Sequence, residues 1–176
     1  MNKIIFKTGL VCFMLFMMLS TGYAQQAKKK IRVGVYDNRA IATAYFGSSF
    51  NPLMSKRAEF EAAKEAGDSA KVQQLEAWGP KFQRQIQFQG FCRVPVDDLL
   101  EYVKDKLPNI AKENSLDFIG WLPNYTSSNV EIIKVDITSQ LIALYNPTEK
   151  ILDEVKQIIA VPPTPLGEIV QQNYKR

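Results

Sequence analysis

Apolar positions along this chain change period several times, and each change marks an element. Ile31 to Tyr36 alternates as a strand does, and Asp37-Asn38-Arg39 ends it. Ala40 to Phe46 opens a helix, which Gly47-Ser48-Ser49 interrupts. Asn51-Pro52 is a helix start, with Asn51 as cap and Pro52 in the first turn, and the helix is expected to run to Ala66. Its apolar face is thin: Leu53, Met54, Phe60 and Ala63. Gly67-Asp68-Ser69 is a turn. A second helix begins near Ala70 and carries Val72, Leu75, Trp78, Phe82 and Ile86 on one face. Pro80 lacks an amide hydrogen and its ring meets the carbonyl of Glu76, so a kink or break is expected there. The two segments predict an antiparallel helical hairpin with its tip at Gly67.

From Val96 or Asp97, the stripe Leu99, Leu100, Val103, Leu107, Ile110 and Ala111 predicts a third helix, kinked near Pro108 and closed by Asn114-Ser115. The stretch after it organises the rest. Leu116 to Leu122 is a short apolar run, Asn124 to Asn129 is rich in turn residues, and Val130 to Val135 is β-branched. This reads as a β-hairpin, with Ile31 to Tyr36 as the third strand that stabilises it. Asp136 caps a helix carrying Ile137, Leu141, Ile142 and Leu144. Asn146-Pro147-Thr148-Glu149 starts another, with Asn146 as cap. Val161 to Gly167 reads as an extended linker, and 168–176 as a loose tail.

The fold class expected is therefore α+β. A small β-body is formed by N- and C-terminal strands, with a helical hairpin inserted between them. One domain spans 25–160: an arm at about 51–89, a body at 31–37 and 97–145, and an extra helix at 147–160. A Pro-rich tail follows at 161–176.

Composition changes this picture at the start of the chain. Lys3 and Lys7 precede an apolar run from Thr8 to Ser20, and Gly22-Tyr23-Ala24 is a small-x-small cleavage site. Residues 1–24 read as a signal peptide, which implies export. Of 22 basic residues, Lys3 and Lys7 fall in this leader, so the remainder has a net charge of about +2 against 18 acidic residues. That balance, without a basic stripe interleaved with aromatics, argues against nucleic-acid binding. Lys28-Lys29-Lys30 is a solvated basic arm, or a point of weak contact with an anionic membrane surface.

The chain has no histidine, which removes the commonest general base and zinc ligand. Cys92 is the one cysteine beyond the leader, so no intramolecular disulfide can form there; a buried thiol is expected. Asp97, Glu101 and Asp105 recur every four residues, but Lys104 and Lys106 interleave, and the group reads as a solvated face rather than a metal site. Asp37 and Arg39 read as a structural ion pair. No catalytic, metal or cofactor site is assigned. Tyr45, Phe46, Phe50, Phe60, Trp78, Phe82, Phe88 and Phe91 crowd the helical region, too many for a thin hairpin to bury. Phe60, Trp78 and Phe82 are the candidate client-binding residues.

The order of elements resembles the Skp/OmpH family of periplasmic chaperones. Leu116-Asp117-Phe118-Ile119 is similar to that family's "IDLVV" strand, Tyr125 with Ser127-Ser128-Asn129-Val130 to its "Y-x-S-x-D-V" turn, and Val135-Asp136-Ile137-Thr138 to its "DIT" segment. Ile31 to Asp37 resembles its first strand, "KIAVVD". The resemblance covers the two ends of the chain, and the middle only by order of elements. It implies a homotrimer whose helical arms enclose unfolded outer-membrane proteins in the periplasm, without ATP or cofactor. The outgoing arm here is shorter than the family's, Gly79-Pro80 falls inside the return arm, and the charge is closer to neutral. A non-chaperone, oligomeric structural or adaptor protein of the cell envelope that keeps the body of this fold is the alternative that these departures favour.

Overall fold

The computed structural model describes residues 29–121, 127 and 129–174. The expected signal peptide lies outside the described residues, as does most of the turn-rich segment before Val130. The fold is mixed α+β, with a three-stranded sheet whose strands are all parallel.

Strand β1, Lys29–Val35, is central. β2, Phe118–Ile119, pairs on one side of it, with Val33 opposite Phe118. β3, Val130–Asp136, pairs along its whole length on the other, from Lys29 opposite Val130 to Val35 opposite Asp136. The hairpin expected over 116–135 is therefore not formed: β2 and β3 never pair and point the same way. Alternation identifies a strand but not its neighbour. Here β1 takes the position where both edges are paired. Asp117 locks β2 onto it, its carboxylate accepting from the Arg32 amide at 2.6 Å and its amide donating to the Arg32 carbonyl at 2.8 Å. Lys29 and Lys30 belong to β1 rather than to a free arm, and Lys30 pairs with Glu131 at 3.2 Å.

Between β1 and β2 the described chain is helical. Helix α1, Asn38–Phe46, starts from Asp37, whose carboxylate accepts the Arg39 amide. Ala40, Ile41, Ala42 and Ala44 are fully buried, so α1 is the centre of the core; its alanines let other helices approach closely. Helix α2, Leu53–Glu65, is preceded by Asn51, whose side chain accepts the Leu53 amide as expected of a cap. Gly67, with φ of 68°, turns the chain into α3, Ser69–Phe91. α3 passes through Pro80 without the expected break. Glu76, whose carbonyl loses its partner, is exposed, so water can satisfy it.

The next segment starts as α4, Asp97–Leu100, tightens to a 3-10 helix over Glu101–Lys106, and resumes as α5, Leu107–Glu113. Pro108 explains the tightening. It cannot donate to Lys104, whose carbonyl instead accepts the Leu107 amide. The expected stripe is nonetheless buried at Leu99, Leu100, Val103 and Ile110. Ser115, with φ of 51°, ends α5, and the Leu116 amide donates back to Ala111. Arg32 reaches from β1 to the Asn114 and Ser115 carbonyls, placing a cation at the helix C-terminus.

After β3, the Asp136 carboxylate accepts the Thr138 amide and opens α6, Thr138–Ala143. α7, Glu149–Ala160, is capped by Thr148, not by Asn146, which sits at φ 49° and ends the preceding turn. The tail is not loose: α8 spans Leu166–Tyr174 and buries Ile169. The Thr164 amide donates to Phe91 and Arg39 to the Val161 carbonyl, which ties the approach to α8 onto the body.

Candidate functional site

Helices α2 and α3 bring the three candidate residues to one side of the hairpin. Phe60 lies on α2. Trp78 and Phe82 are four residues apart on α3, hence on one face, with their rings stacked at 4.6 Å and 17°. Phe60 does not stack on them. It shares with Trp78 a cleft of about 290 Å³ that Leu53, Arg57 and Leu75 also line. The Lys64 ammonium stands 5.4 Å from the centre of the Phe60 ring. All three aromatic residues are half-buried.

The rings continue beyond the hairpin into the body. Phe82 meets Phe46 edge-on at 6.3 Å, and Phe46 meets Tyr45 at 5.4 Å. Tyr45 contacts Tyr102 at 5.2 Å, which in turn meets Phe50 at 5.6 Å. Phe50 also packs edge-on to Tyr145 at 6.0 Å. The result is a continuous aromatic strip from the middle of α3 to the body. Tyr45 and Tyr145 anchor it in the core. Phe50 and Tyr102 are 36% and 51% exposed, and Met54 near the start of α2 is 74% exposed. Tyr102 was missed in the sequence because it lies off the apolar stripe of its own helix and is drawn in only by Tyr45 and Phe50. Phe88 and Phe91 are not part of the strip: Phe88 faces a groove against α8, and Phe91 is exposed at the end of α3.

Electrostatics near the strip is set by burial and by short-range pairs. Burial pushes the phenols of Tyr45 and Tyr145 up, and the Tyr145 hydroxyl donates to the Leu99 carbonyl at 2.8 Å. Lys56 bonds Glu59 at 2.9 Å and holds its carboxylate below the usual value. Asp97, Glu101 and Asp105 are exposed, and among the described residues no group of acidic or cysteine side chains is placed to hold a metal. Asp98 instead ties helices together, accepting from Gln85 at 2.6 Å and from Gln89 at 2.7 Å. Asp37 and Arg39 form the expected ion pair at 2.7 Å, with Arg39 buried. The Cys92 thiol is buried and unbridged; burial and then nearby Glu168 push it up.

Chemically, the strip offers ring faces and edges, with Leu53 in the adjoining cleft as a flexible apolar side chain. Such a surface binds by burying apolar area, with little demand on the geometry of its partner. Comparison with known proteins finds no family model, no curated protein and no solved structure that matches this chain.

Proposed function

We propose that this protein is an exported, ATP-independent holdase of the Skp/OmpH type, which binds unfolded outer-membrane proteins in the periplasm after removal of residues 1–24. The observation that carries the reading is the partly exposed aromatic strip through Trp78, Phe82, Phe46, Tyr45, Tyr102 and Phe50, with Phe60 in the adjoining cleft. A folded monomer gains nothing from leaving such a strip open to water, whereas an unfolded apolar chain can bury it. Ring contacts of this kind add about 0.5–1.5 kcal/mol each beyond area burial, so several together hold a chain reversibly and need no cofactor. The parallel sheet departs from the hairpin order that the resemblance implied; the helical segment between β1 and β2 agrees with it.

A homotrimer fits the sheet. Among the described residues, no strand pairs with the outer edge of β3. Ile31, Val35, Val130 and Ile132 on the face away from the helices are half-buried and outside the helical core, and Phe118 beside them is 43% exposed. Copies of the chain meeting there would cover an edge and a face that are otherwise costly.

The test is suppression of aggregation of an unfolded β-barrel protein diluted from urea. The mature chain, 25–176, should suppress it at stoichiometric amounts, and a Phe60→Ala, Trp78→Ala, Phe82→Ala variant should lose most of the effect. No suppression at several-fold excess overturns the reading. The second reading, a non-chaperone envelope adaptor, is favoured by the length of α2: Leu53–Glu65 spans only about 20 Å at 1.5 Å per residue, short for an arm that encloses a client. The aggregation assay separates the two, since an oligomeric adaptor of the same fold suppresses nothing; a monomer by light scattering would count against both, because it leaves no cavity and no shared body.

A further inference from the structure

The carboxyl ends of β1 and β3 open onto a cavity of about 350 Å³. Parallel strands present ligand sites at these ends, at the point where the strand order reverses. The strand order reverses at β1, since the chain passes from β1 to β2 on one side and then to β3 on the other. The segment Val35 to Asn38 lines the cavity at the end of β1, and Trp121 and Ile159 supply apolar walls.

Four charged residues line it: Asp37, Arg93, Lys134 and Asp136. Asp37 is matched by the buried Arg39 guanidinium at 2.7 Å. Asp136 accepts the Thr138 amide through one oxygen and keeps the other. Arg93 and Lys134 are exposed and make no ion pair among the described residues. The cavity thus holds two cations against one carboxylate that has no cation of its own. Its frame is fixed. The Asn38 side chain donates to the Gln89 and Cys92 carbonyls, which sets the backbone next to Arg93. The Asp37 amide donates to Thr138 Oγ1, which joins the ends of β1 and β3.

The geometry points to a binding site for a small organic monoanion with an apolar body. Its carboxylate is taken by Arg93 and Lys134, and its body packs against Trp121 and Ile159. The remaining Asp136 oxygen disfavours a multiply charged anion. This site is independent of the aromatic strip, which lines none of it.

Trp121 is the reporter. The chain contains two tryptophans, and Trp78→Phe leaves Trp121 alone. In that background, titration with benzoate should change the Trp121 fluorescence saturably, and phosphate at equal concentration should do so far more weakly. Arg93→Gln with Lys134→Gln should weaken benzoate binding by roughly tenfold or more, as expected for loss of charge-assisted contacts. Lys134→Arg should retain it. No saturable change with benzoate, an equal response to phosphate, or unaltered binding in the folded double glutamine variant each overturns the assignment.

Discussion

A Cβ on Gly34 would stand 2.6 Å from Leu116 Cδ1 and 2.9 Å from Ile137 Cδ1, inside the contact between β1 and the core. At Gly67 a Cβ meets nothing within 4 Å, but φ is 68°. The two positions require glycine for different reasons, space at one and backbone at the other. Gly34→Ala should cost about 1–3 kcal/mol through overpacking, and Gly67→Ala about 1 kcal/mol through strain alone. Urea unfolding followed by circular dichroism measures both. Gly67 was legible in the sequence beside Asp68-Ser69, whereas Gly34 looked like any strand position until Leu116 and Ile137 were placed above it. The buried acids make a second prediction. Burial, then Asp97, pushes Tyr36 up to about 12 from 10.0, and burial pushes Tyr45 and Tyr145 higher still. Burial also raises Cys92 above 9.0. All four are neutral when protonated, so the unfolded chain releases their protons first. The stability they confer is complete below the unfolded values and is lost as pH rises through the folded ones. The urea midpoint should be flat near neutrality and fall from about pH 9 upward, and Tyr36→Phe should lessen the fall above about pH 10. A midpoint that holds to pH 11 would refute this.

Among the elements, α8 shows most clearly how docking decides structure. Its approach contains Pro162, Pro163 and Pro165, and by propensity alone the tail beyond looked loose. A helix this short is marginal in water, and packing supplies what propensity lacks. Ile169 is buried, and Glu168 lies near enough to Cys92 to shift its thiol. Ile169→Ala should therefore cost about 2 kcal/mol. It should also speed reaction of Cys92 with a thiol reagent well below the unfolding transition, and equal rates in the two proteins would show that α8 does not cover the thiol. Helix caps behaved differently. Asn51 and Asp136 were readable because a cap is a contact between near neighbours, which the local sequence contains. Thr148 displaced Asn146 as cap because Asn146 was taken up by the left-handed residue that ends the preceding turn.

In the whole molecule, the burial of apolar surface is uneven. α1 is buried nearly all round, whereas α2 buries only Ala63 and α3 chiefly Leu75 and Gln89. Amides of α2 and of the half of α3 nearest Gly67 should exchange with solvent before those of α1 and β1, as native-state hydrogen exchange with mass spectrometry can show. Uniform protection would mean that the hairpin shares the stability of the body. Of the candidate site, Phe60, Trp78 and Phe82 were legible as aromatics on a thin amphipathic face. Their continuation through Phe46, Tyr45, Tyr102 and Phe50 was not, since those rings come from different helices. The amino-acid sequence by itself determined where β1, β3, the helices before α8 and the turn at Gly67 lie, because periodicity, proline, glycine and capping side chains act within a few residues. Only the tertiary structure decided that β1 is central and parallel to both neighbours, that α8 docks, and that the rings join into one strip. Those outcomes depend on which distant surfaces bury each other, and no local pattern encodes that choice.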